Sequence, residues 1–125
     1  MAYTATLKDM REIYIPSWPV DVALENLAKA GQILGTHNVI AMSEINTTAV
    51  IVALMDTKEP QKAASLIKHF VCQVRISGDK LLPAQLDEYF EDDLKSVAEI
   101  FTHVIAAQYA DFFASGLAKE LSPSK

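Results

Sequence analysis

From residue 86 to residue 112 apolar side chains return at every third or fourth position: Leu86, Phe90, Leu94, Val97, Phe101, Val104 and Phe112, with Gln108 as the single polar member of the series. That spacing repeats one face of an α-helix and cannot be laid on a strand, where the period is two. Helix is therefore expected from Pro83, which suits a first turn, to about residue 115, with Gly116 as the stop. One unbroken rod over that span would be about 50 Å long, more than so small a chain can cover, so two helices with a bend near Glu91-Asp92-Asp93 are expected.

The rest of the chain reads in the same way. Ser17-Trp18-Pro19 announces a helix whose apolar and small positions, Leu24, Leu27, Gly31 and Leu34, run to a stop at Gly35. Val39, Ile40, Met42 and Ile45 suggest a second, shorter helix over residues 37–45, and Asn46-Thr47-Thr48 offers capping groups for a third over residues 49–55. The β-branched run there also suits a buried strand, but a strand needs partners that this chain scarcely provides, so core helix is preferred. Pro60 opens a fourth helix with an apolar face of Ala63, Ala64, Leu66, Ile67, Phe70, Val71 and Val74, ended by Ser77-Gly78-Asp79. Arg11-Glu12-Ile13-Tyr14-Ile15 is the only alternating stretch, either a short edge strand or an extended arm. The expected fold class is all-α: a single domain of about five helices over residues 17–121, an amino-terminal arm over 1–16 and a disordered tail over 122–125.

Charge and motif content narrow the function. Sixteen acidic against eleven basic residues, a net charge of −5, disfavour nucleic acid and anionic membrane as partners. The most apolar run, residues 49–55, is far short of the roughly 20 residues that span a bilayer. The start of the chain has no run of signal-peptide length, and the lone Cys72 fits a reducing cytoplasm. His37, His69 and His103 are scattered, and His69 with Cys72 makes only half a zinc site. Neither a nucleophile elbow nor a phosphate-binding glycine loop occurs, so no catalytic residue, metal or cofactor is assigned and an enzyme is not expected.

Two groups remain. Asp87, Glu88, Glu91, Asp92 and Asp93 form either a solvated helix start or a dock for a basic partner. Tyr109, Phe112 and Phe113 close the long helical stretch, and adjacent residues on a helix point about 100° apart, so one face cannot bury both Phe112 and Phe113. The second ring is covered by another helix or subunit, or serves as an anchor for another protein. Trp18, between Pro16 and Pro19, faces the same choice between core and anchor.

With these residues in view, the chain resembles the tail assembly chaperones of long-tailed bacteriophages. The likeness lies in Ile15-Pro16-Ser17-Trp18-Pro19 leading into the helix that ends at Leu34-Gly35, and in the stretch from Leu86-Asp87-Glu88-Tyr89-Phe90 to Gln108-Tyr109-Ala110-Asp111-Phe112-Phe113. The resemblance implies a small helical protein of the host cytoplasm that binds the tape measure protein, keeps it soluble until the tail tube forms, and is absent from the mature virion. A frameshifted longer form would add the tail tube protein as a partner. On this reading Trp18, Tyr109, Phe112 and Phe113 belong to the partner-binding surface, Asp87, Glu91 and Asp92 attract a basic patch, and the protein forms homo-oligomers. The residues alone equally suit a small helical adaptor or regulatory module unrelated to tails.

Overall fold

The computed structural model describes residues 2–7, 10–76, 79–80 and 93–121. In chain order the elements are β1 (Ala2–Thr6), β2 (Glu12–Pro16), α1 (Val20–Leu34), α2 (Thr36–Met42), α3 (Thr47–Asp56), α4 (Pro60–Val71), β3 (Arg75–Ile76), β4 (Asp79–Lys80) and α5 (Leu94–Leu121). The fold is mainly helical, but the all-α expectation needs correction, because a four-stranded antiparallel sheet in the order β1-β2-β3-β4 lies beside the helices.

Residues 12–16 are strand. In β2 Ile13 and Ile15 are buried while Glu12 and Tyr14 face solvent, and the strand pairs on one side with β1, Tyr3 opposite Ile15, and on the other with β3, Ile13 opposite Ile76. The Leu7 amide donates to the Arg11 carbonyl at 2.8 Å and the Met10 amide to the Leu7 carbonyl at 2.9 Å, turning β1 back on β2. On the solvent side the Arg75 guanidinium lies 5.9 Å from the Tyr14 ring centroid, a cross-strand cation–π pair. The partners that β2 needs come from segments without a period of their own: β1 is rich in Thr and Ala, and β3 has two residues.

The helix boundaries have local causes. Gly35 closes α1 at φ +94°, in the left-handed region, and its amide returns to the Gly31 carbonyl at 3.0 Å. The Asn46 side chain accepts the Ala49 amide at 3.2 Å to cap α3, and Pro60 stands in the first turn of α4. The fourth helix ends at Val71 rather than at residue 77. The buried Val74 and Ile76 reach the core from the loop and from β3. Asp93 caps α5, its carboxylate accepting the Ser96 amide at 3.2 Å. Gly116 is not a stop, since α5 runs on to Leu121, and the helix expected from Pro83 lies outside the described residues.

The last helix is the axis of the core. Ile100, Phe101, Thr102, Val104 and Ile105 are all fully buried, so over these residues α5 is enclosed on every side rather than along one stripe. Helices α2, α3 and α4 pack on it, and so do β1 and β2 of the sheet. Polar links fasten the hairpin to α5. Arg11 donates to Asp93 at 3.1 Å and to Ser96 at 2.9 Å, and the Tyr3 hydroxyl lies 3.0 Å from Nδ1 of the buried His103.

Candidate interaction surface

The aromatic residues form a continuous series from the core to solvent. Phe101 and Phe70, both fully buried, have ring centroids 5.3 Å apart. Trp18 meets Phe70 edge-on at 5.0 Å and Tyr109 at 6.2 Å, Phe113 lies 6.2 Å from Tyr109, and Phe112 lies 6.0 Å from Phe113. Separations of this order fall within the favourable range for tilted and edge-to-face pairs.

Exposure is lowest at Phe101 and Phe70 and highest at Phe112. Tyr109 is 3% exposed, and its hydroxyl donates to the Ala23 carbonyl at 2.7 Å, joining α5 to α1. Burial pushes its phenol far above the ordinary range, so it stays a neutral donor. Trp18 and Phe113 are half-buried, and Phe112 is 57% exposed. The angular argument for adjacent phenylalanines therefore holds: one ring packs and the other stands in water. Of the residues assigned from sequence, Trp18, Tyr109, Phe112 and Phe113 come together, and Asp87, Glu91 and Asp92 lie outside the described residues.

Gln108 explains itself here. Its Oε1 accepts the Trp18 amide at 3.2 Å and its Nε2 donates to the Pro16 carbonyl at 2.9 Å, so the one polar member of the series clamps the segment leaving β2. In the first turns of α1, Val20 and Leu24 are exposed, and the Ala23 carbonyl accepts from Tyr109.

The sequence missed a second apolar region. The expectation of a core segment over residues 49–55 needs correction: Ala49, Val50 and Ala53 are buried, whereas Ile51, Val52, Leu54 and Met55 are exposed. The available signal is the absence of a polar face on α3, because a small domain cannot enclose every side of such a helix as well as α5.

Among the described residues no three His, Cys, Asp or Glu side chains are grouped to hold a metal ion, and no helix is long and apolar enough to cross a membrane. Cys72 is buried at the end of α4, and His69 is exposed. Desolvation lowers the His103 pKa, opposed in part by the Glu99 charge, and the ring is engaged by Tyr3.

The structure is thus a small, mainly helical body with an aromatic series that opens onto solvent at Phe112. The match to known families is specific: the family model for the phage tail assembly chaperone protein, TAC, covers residues 9–119, and the chain belongs to that family. No curated protein and no solved structure gives a significant match.

Proposed function

We propose that the protein binds the tape measure protein of its phage and keeps it soluble and competent for tail tube assembly. Family membership over residues 9–119 carries the reading, and the exposed Phe112 ring, backed by Phe113, Tyr109 and Trp18, supplies a physical means. A ring held on a packed base loses little freedom on binding, which favours it as an anchor. The work is binding rather than catalysis, carried out in the host cytoplasm, with the protein left out of the mature virion. Self-association through the same rings, an attraction of basic client segments to Asp87, Glu91 and Asp92, and contact with the tail tube protein complete the reading. Family membership favours it over an adaptor unconnected with tails.

The test is co-expression with the tape measure protein of the same phage, measuring the client's soluble fraction. The wild-type protein raises that fraction and co-purifies with it. Phe112→Ser reduces both while the circular dichroism spectrum stays that of the wild type. A client equally insoluble with and without the protein refutes the chaperone reading.

A further inference from the structure

β1 is the outermost strand of its sheet, paired over its whole length with β2 and with no further strand among the described residues. Which of its backbone groups face outward follows from the register. In an antiparallel pair, residues that exchange hydrogen bonds alternate with residues that do not. The Leu7 amide donates to the Arg11 carbonyl, and Pro16, opposite Ala2, has no N–H to give. The exchanging positions are therefore Tyr3, Ala5 and Leu7. The N–H and C=O groups of Ala2, Thr4 and Thr6 point away from β2.

Edges that stay single are guarded by charged side chains, by proline or by a bulge. β1 reads Ala-Tyr-Thr-Ala-Thr and keeps an unbroken register with β2, so it carries none of these guards. The strand is also complementary to itself. Laid antiparallel about Thr4, it sets Thr4 opposite the Thr4 of a second copy, and Ala2 opposite Thr6 in both directions. Every outward group then meets one from the other copy, which gives about six hydrogen bonds between chains. A shift of one residue would aim these groups at positions whose own are already spent on β2. The side chains agree with the centred register, since Tyr3 falls opposite Ala5, large against small, and no charge meets its like.

We propose that β1 is a dimerisation edge, on which a second copy adds its own β1 and continues the sheet across a two-fold axis. An isologous contact of this kind closes on itself and uses up the edge in both copies. It involves none of the rings that lead to Phe112 and does not depend on what those rings bind.

Sedimentation over a concentration series tests it. The wild-type mass rises from that of one chain, 13.7 kDa, toward twice that value. Thr4→Pro removes an outward N–H that β2 does not use, so the variant keeps its circular dichroism spectrum and stays at the mass of one chain. Phe112→Ser associates as the wild type does. A wild type that stays single up to millimolar concentration overturns the proposal and leaves the edge to a strand of another protein. A dimer that survives Thr4→Pro, or is lost in Phe112→Ser, overturns it as well.

Two cysteine variants read the register without altering the backbone. Paired Thr4 positions bring their Cα atoms to about 5.5 Å, inside the span of a disulfide. Two Thr6 positions lie about 14 Å apart along the paired strands. Oxidised glutathione therefore joins Thr4→Cys chains into disulfide dimers and leaves Thr6→Cys chains single, while the buried Cys72 stays out of the exchange. Equal cross-linking of both variants, or of neither, overturns the centred pairing.

Discussion

Replacing Gln108 by leucine sets the hydrophobic pattern against the hydrogen bonds. On pattern alone the change should stabilise the protein, since it completes the apolar series from Leu94 to Phe112 with a side chain of similar size. The structure gives the opposite sign. A leucine side chain at this position would leave the Trp18 amide and the Pro16 carbonyl without the partners that now lie at 3.2 and 2.9 Å. Each such bond contributes about 0.5–1.5 kcal/mol net, and more where water cannot replace the lost partner. Pro16 and Trp18 are half-buried, so replacement by water is only partial. Added apolar burial returns about 0.5–1 kcal/mol. The expected net loss is about 1–2 kcal/mol, which for a domain of this size lowers Tm by roughly 4–8 °C. The assay is thermal unfolding followed by circular dichroism at neutral pH. Gln108→Glu sharpens it. One carboxylate oxygen still accepts the Trp18 amide, but the other faces the Pro16 carbonyl without a proton to share. That variant is destabilised at neutral pH and partly restored as acid protonates the carboxyl. A Gln108→Leu protein that melts at or above the wild-type temperature refutes the clamp.

Three further outcomes follow from the same geometry. Gly35→Ala costs about 1–2 kcal/mol, because φ is +94° and the new Cβ would lie 3.3 Å from Asn38 Nδ2; an unchanged denaturation midpoint contradicts this. Phe112→Ser changes stability by less than about 0.5 kcal/mol, whereas Tyr109→Phe loses about 1 kcal/mol with its bond to the Ala23 carbonyl, and chemical denaturation of the two variants side by side measures the contrast. His103 is held neutral by burial, with a folded-state pKa below the ordinary 6.5, so the unfolded chain takes up its proton first as pH falls. Its contribution is complete above about pH 6.5 and declines below it until the folded-state pKa is reached. His103→Gln therefore flattens the fall in Tm between about pH 7 and 5, and parallel curves for the two proteins count against that assignment.

Much of the helical frame is legible in local signals. Gly35, Asn46 and Pro60 each mark a boundary through conformation or capping that acts over a few residues, and each stands where α1, α3 and α4 end or begin. The sheet is less legible, because Ile13 and Ile15 declare a strand while the partner β3 comes from some sixty residues away and is too short for alternation to register. The same contrast runs through the surface. Helix geometry alone says that one face cannot bury both Phe112 and Phe113, and the packing of the whole molecule decides that Phe112 is the exposed ring. Nothing local distinguishes the buried Val50 from the exposed Ile51, since both are β-branched and only the placement of α4 and α5 separates them.

The clasp of Gln108 on Pro16 and Trp18 also orders events during synthesis. The hairpin of β1 and β2 emerges from the ribosome well before α5, the helix that packs against it and that is translated about eighty residues later. Until then the nascent chain carries bare isoleucines and an apolar third helix, the kind of surface that invites aggregation. A member of a chaperone family thus passes through a vulnerable stage of its own, and leaves it only when α5 closes the core.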